Sequence, residues 1–123
     1  MREILFRGKR IDNGEWVYGY FYEDIGSFIK ERASSVSTNT HHVDPSTVGQ
    51  YTGLTDKNGK RIFEGDLLVL ATSRPREVKF AYGGFYMDGT AIPIRYVGKF
   101  TIVGNIHDNQ ELLGEIERGN NEL

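Results

Sequence analysis

Residues 15–22 carry the clearest alternation in the chain. Trp16, Tyr18, Tyr20 and Tyr22 fall on one side of an extended backbone, and Val17, Gly19 and Phe21 fall on the other. A period of two predicts a strand with two unlike faces. Residues 3–10, with Ile4, Leu5 and Phe6 ahead of Arg7, Lys9 and Arg10, predict the strand before it. Asp12, Asn13 and Gly14 separate the two, and Asn-Gly supplies the positive φ angles that a tight hairpin demands. Further strands are predicted at 26–32, 50–55, 60–63, 67–70, 78–80, 85–87, 92–96 and 100–106. A second Asn-Gly hairpin turns at Asp56-Lys57-Asn58-Gly59, and a third turns at Gly83-Gly84. Glu64-Gly65-Asp66 leads into Leu67, Leu68, Val69 and Leu70, which are apolar on both faces and so predict a central strand.

Little of the chain has a helical pattern. Residues 33–40 are small and polar and predict an exposed loop or a mobile hairpin tip, with His41 and His42 as solvated loop residues after it. Asp44 followed by Pro45 has the order of an N-cap and a first helical residue, and predicts one short turn of helix. A sustained helix is predicted only at the end. Asp108 caps it, Glu111 completes a capping box, and Leu112, Leu113 and Ile116 form its apolar stripe before the polar tail 118–123. Many short strands joined by Gly-rich turns predict an all-β barrel or roll.

Composition narrows the picture. The 123 residues suit one compact domain, read as an N-terminal hairpin part at about 1–45 and a barrel part at about 46–117. Hydrophobic residues make up 38% and aromatic residues 12%, which predicts a core built from Tyr and Phe more than from Leu. The absence of cysteine excludes disulfides, thiolate metal sites and a cysteine nucleophile. No apolar run matches a signal peptide or the roughly 20 residues of a membrane helix, so a cytoplasmic protein without membrane contact is expected. The net charge of −2 rules out global basic character, so any nucleic-acid contact needs a local patch. Arg7, Lys9 and Arg10 form one basic cluster, and Arg74, Arg76 and Lys79 form another. Each reads most simply as a solvated strand face, and together they would make a modest patch.

Catalytic chemistry finds little support. His41, His42, Asp44 and His107 lack metal-ligand spacing, and no His-Glu-x-x-His pattern is present. No nucleophile elbow occurs, and the serines and threonines of 34–40 have no base held beside them. Gly83-Gly84 lacks the lysine and helix of a phosphate loop. No catalytic, cofactor or metal residue is assigned. The aromatic stripe Trp16, Tyr18, Tyr20 and Tyr22 carries the most weight, with three readings open: a core face, a protein interface, or a platform on which bases stack. Glu15, Glu23 and Asp24 flank it in sequence and disfavour the third.

The segment Val48-Gly49-Gln50-Tyr51-Thr52-Gly53-Leu54, followed by Asp56-Lys57-Asn58-Gly59 and Glu64-Gly65-Asp66, resembles the core motif of the YopX family. The similarity extends to the charged opening strand Arg2 to Arg10 followed by Trp16-Val17-Tyr18-Gly19, to Asp44-Pro45 at the start of the centre, and to Ile102-Val103-Gly104-Asn105-Ile106 with Asn109, Leu112 and Leu113, but not across 26–42. It implies a mainly β fold with a small Src-homology-3-like barrel, in a bacteriophage or prophage protein working inside its host. It brings no catalytic residues. Gly49, Gly53, Gly59 and Gly65 read as turn or close-approach positions, and Asp66 as bonding its own turn. The expected function is a non-enzymatic module that binds a host or phage protein or assembles with itself. A nucleic-acid-associated module in early phage functions is the alternative.

Overall fold

The computed structural model describes residues 4–31, 40–70, 74–81, 84–87, 99–109 and 111. Two compact units divide the chain, Met1–Tyr51 and Thr52–Leu123. Both are built of antiparallel strands.

The first unit contains β1 (Phe6–Lys9), β2 (Trp16–Glu23), β3 (Ser27–Glu31) and β4 (Thr40–His42), and the opening of β5 (Gly49–Thr55). They lie in the order β4-β3-β2-β1-β5. The β1–β2 hairpin turns where Asn-Gly placed it: Gly14 has φ 73°, its amide donates to Arg10 O, and Asn13 Oδ1 accepts from the Glu15 amide. Beyond β1, Arg10 bridges Val43, and the Ile11 amide donates to His42 O, so the end of β1 comes alongside the end of β4. Val17, Ile29 and Val43 are buried together, with Phe6, Phe21 and Val48 packed against them. This is the Val17 and Phe21 side of the two faces that the alternation of β2 separates.

A 3-10 turn, Pro45–Thr47, connects β4 to β5, and Asp44 caps it as its sequence position suggests. The Asp44 carboxylate accepts from the Ser46 amide at 3.0 Å, and Thr47 Oγ1 accepts from the Lys9 amide at 2.8 Å. Asp44→Ala is expected to cost about 1 kcal/mol, the usual worth of an N-cap, measured by urea unfolding.

The second unit holds the rest of β5, then β6 (Arg61–Phe63), β7 (Asp66–Val69), β8 (Arg76–Ala81), β9 (Gly84–Met87) and β10 (Thr101–Asn105). β6 neighbours β5, and the other four stand in the order β10-β7-β8-β9. β7 is therefore interior, as its two apolar faces require, with Leu67 and Leu68 fully buried. Ile62, Leu68, Val78, Met87 and Phe100 form the core, and Leu54, Phe85 and Ile102 pack on it. The register of β10 on β7 shifts between Ile102 and Gly104, a bulge that leaves Val103 exposed.

Two expectations change. The fully buried core is aliphatic rather than aromatic: Ile29, Val43, Ile62, Leu67, Leu68, Val78 and Met87. A tyrosine hydroxyl needs a polar partner when buried, and on a thin sheet that demand is met most easily at the surface. His41 and His42 lie in a strand, because pairing with Ile29 and Phe28 orders a segment with no apolar pattern of its own. The described strands stand in two sheets, one of six strands and one of four. The loop 33–39, the strand at 92–96 and the helix after Asp108 lie outside the described residues. Among the described residues, no helix is long and apolar enough to cross a membrane.

Candidate functional site: an aromatic face on the first unit

Pairing register decides which side chains share a face, because directly opposed residues point the same way. Arg7 opposes Tyr18 and Lys9 opposes Trp16 across β1–β2. Tyr20 opposes Lys30, which opposes Thr40, and Tyr22 opposes Phe28, which opposes His42. One face of the sheet therefore carries Trp16, Tyr18, Tyr20, Tyr22, Phe28 and His42, with Arg7, Lys9 and Lys30 between the rings. Tyr18, Tyr20 and Tyr22 are 45%, 52% and 43% exposed, so the core reading does not hold for them.

The rings are ordered by one another. Tyr22 and Phe28 stack with centroids 5.4 Å apart, and Phe28 and His42 stack at 5.0 Å. This three-ring ladder crosses three strands. At the other end of β2, the Arg7 guanidinium carbon lies 4.6 Å from the centre of the Trp16 ring, and Lys9 Nζ lies 5.6 Å from it. Those are cation–π distances, and they hold Trp16 while Arg7 is buried beside it.

The acids go elsewhere. Glu23 opposes Ser27 and Glu31 opposes Gly19, both on the face that carries Val17 and Phe21. Glu23, next to Tyr22 in sequence, thus does not share the face of the tyrosines. Among the described residues paired in the ladder, the charged neighbours on the rings' face are Arg7, Lys9 and Lys30. Sequence spacing within β2 cannot reveal this, since Arg7, Lys9 and Lys30 arrive from other strands.

His41 and His42 diverge, as adjacent strand residues must. His42 joins the ring ladder, whereas His41 points to the opposite face with Nε2 3.5 Å from Glu31 Oε2. A shallow cleft of about 240 Å³ lies beside them, lined by Arg10, Ile11, Asp12, Thr40, His41 and His42. Its charges are already committed. Arg10 donates through Nε and Nη2 to the two carboxylate oxygens of Asp12 at 2.9 and 2.6 Å, and this bonding holds the Asp12 carboxyl below its ordinary range. Among the described residues, no three His, Asp or Glu side chains come together as a metal site.

The motif residues 49–66 make ladder and turn contacts. Gly49 and Gln50 pair with Arg7 and Phe6, and the Tyr51 amide donates to Leu5 O. In the second unit, Thr52 Oγ1 donates to Ile62 O at 2.9 Å. Gly53, Gly59 and Gly65 have positive φ. Asp56 accepts from the amides of Asn58 and Lys60 through Oδ1 and of Ile102 through Oδ2. Asp66 Oδ2 accepts from the Phe63 amide at 2.7 Å across the turn of Glu64 and Gly65. His107 lies in the turn after β10, its amide donating to Asn105 Oδ1 at 2.9 Å.

No curated protein matches the chain significantly. Among solved structures, it is similar to the crystal structure of protein EF1440 from Enterococcus faecalis, with a TM-score of 0.64 and 24% identity. The alignment covers 92% of this chain and 99% of that one, a likeness of fold. The family described as YopX protein matches residues 5–114, nearly the full length, and the chain belongs to the YopX family.

Proposed function

We propose that this protein is a non-enzymatic binding module, and that it contacts its partner through the aromatic face of the first unit. It acts, on this reading, in the cytoplasm of a bacterial host as a phage or prophage protein. One observation carries the proposal: three tyrosines stand about half exposed in a row on a paired strand, held beside a Tyr22–Phe28–His42 ladder. Large rings with few rotatable bonds bind at low entropic cost, which is why Tyr and Trp concentrate at contact surfaces. Alternation dictates the outward row, while Val17, Ile29 and Val43 hold the strand from behind.

The second unit serves as a scaffold and is read as a small Src-homology-3-like barrel with a short helix after Asp108. Supporting this, the β5–β6 turn is fastened to β10: Lys57 N donates to Phe100 O at 2.9 Å, and Ile102 N to Asp56.

The test is recovery of partners by the tagged protein from host lysate, with and without nuclease, for the parent and for the combined Tyr18→Ala, Tyr20→Ala and Tyr22→Ala variant. The variant is expected to stay folded, since exposed side chains away from the core contribute little to stability, and to lose the partner. Equal recovery by parent and variant would reject the surface.

A further inference from the structure

We infer that Gly26 is a positioning residue for the binding face: it leaves the space in which the His42 ring sits, and so fixes the outer end of the Tyr22–Phe28–His42 ladder. The functional part of this inference rests on the binding reading above. Gly26 stands in the turn between β2 and β3, where its carbonyl accepts from the Asp24 amide at 2.9 Å. Glycine in a tight turn commonly supplies a positive φ. Gly26 does not: the glycines with positive φ are Gly14, Gly53, Gly59 and Gly65. A side chain at position 26 therefore meets no left-handed backbone, and what excludes one is space. A Cβ there would lie 2.9 Å from Nε2 and 3.4 Å from Cδ2 of His42, and 3.4 Å from Cε2 of Phe28. The missing side chain is the seat of two ring edges.

Which atoms yield decides the consequence. His42 is exposed and belongs to a strand of three residues, Thr40–His42. Its ring lies at 24° to that of Phe28, which lies at 19° to that of Tyr22. Near-parallel stacking of this kind holds only while each ring keeps its orientation. The atom nearest the added Cβ is a ring nitrogen at the far end of a rotatable side chain. It yields by swinging the imidazole off Phe28, and no backbone has to move. At Gly19 the nearest atoms are instead the backbone of Lys30 and Glu31. One glycine of this sheet therefore protects its frame, and the other protects its contact surface. Once His42 leaves the stack, Phe28 is uncovered on that side. The exposed end of the ladder then changes shape, while Val17, Ile29 and Val43 stay packed behind it.

The experiment records the carbon-bound imidazole protons of His42 by NMR, at one fixed pH, in the parent, in Gly26→Ala and in Phe28→Leu, beside urea unfolding of each. Seated over Phe28, these protons are shifted upfield by its ring current, and Phe28→Leu marks the unstacked position. Gly26→Ala is expected to move them most of the way to that position, with an unfolding midpoint close to the parent's. In the His42→Ala background the space is vacant, and adding Gly26→Ala should leave stability unchanged. In the recovery experiment above, Gly26→Ala and His42→Ala should lower recovery alike, by about 2- to 13-fold, which is one aromatic contact of about 0.5–1.5 kcal/mol converted to an equilibrium constant. Unmoved His42 protons in Gly26→Ala overturn the inference. So does a loss of stability that persists in the His42→Ala background, because the alanine then presses on something other than the ring. Full recovery by an unseated Gly26→Ala, where the triple tyrosine variant loses the partner, also overturns it and leaves the binding reading standing. Full recovery by both variants rejects the binding reading and with it the functional part, and the proton shifts still decide the seat of His42.

Discussion

Asp56→Ala is expected to destabilise the second unit by about 4 kcal/mol, the largest effect of any single substitution considered for it. The carboxylate is only 5% exposed and accepts three backbone amides, from Asn58 and Lys60 at 2.9 Å and from Ile102 at 3.1 Å. Two of these bonds close the Asn-Gly turn. The third ties that turn to β10, 46 residues further along the chain. Alanine leaves all three part-buried donors without their charged acceptor; an orphaned group costs roughly 1–3 kcal/mol when buried, and water relieves part of this at the exposed Asn58 and Lys60. Against a total stability of about 5–15 kcal/mol this is a large share. Urea denaturation should show the midpoint falling by about 1.3 to 4 M for m-values of 1–3 kcal/mol/M. Loss of less than about 1 kcal/mol would mean that the turn and β10 do not depend on this carboxylate.

The same residue gives the protein a pH dependence of known sign. Burial by itself pushes the Asp56 carboxyl up, but the amides of Ile102, Lys60 and Asn58, helped by the Lys60 charge, outweigh it and hold the group below its ordinary value. A carboxyl whose folded value is depressed binds fewer protons folded than unfolded near that value. Its contribution is complete above the unfolded value of about 3.9, and it is lost as pH falls through the lower folded value. Asp56→Asn keeps the two turn bonds, faces Ile102 with an amide, and does not titrate. The stability gap between parent and Asp56→Asn should therefore be widest near neutrality and shrink below about pH 4. A gap that stays constant from pH 6 to pH 2 would contradict the assignment.

Much of the architecture was legible because it is local. Asn13-Gly14 and Asn58-Gly59 mark turns by backbone angle, and at Gly59 the φ of 81° is one that side chains other than glycine rarely adopt. The alternation of β2 separated two unlike faces without saying which is buried, and Leu67 and Leu68 announced an interior strand. What escaped depends on pairing between distant segments. Thr40, His41 and His42 have no alternation of their own and become a strand only by pairing with β3. Asp56 reads as a turn residue, and nothing near it in sequence reveals Ile102. The aromatic row was visible in the sequence with Glu15, Glu23 and Asp24 as its neighbours along the chain, whereas Arg7, Lys9 and Lys30 are its neighbours across the ladder. Sequence distance is a poor guide to electrostatic surroundings on a sheet, where the nearest side chains on one face come mostly from other strands.

Gly19→Ala should cost about 3 kcal/mol in the first unit, the upper end of the usual range for forcing atoms into a packed site. Gly19 interrupts the bulky row of β2 on its buried face, opposite Glu31. A Cβ built there would run into the carbonyl oxygen of Lys30 and lie 2.7 Å from its carbonyl carbon. Both atoms are backbone, so no rotamer change relieves the clash, and the β2–β3 pair has to separate. The strain falls on the strand that displays Tyr18, Tyr20 and Tyr22, and on Lys30 itself. Stability and binding should therefore fail together in Gly19→Ala, whereas Tyr20→Ala should lose binding with stability nearly intact. Thermal unfolding of both variants, read beside their affinity for the partner, separates a contact residue from the frame that holds it. If Gly19→Ala unfolds like the parent, β2 and β3 are not packed as closely as the Lys30 carbonyl contact requires.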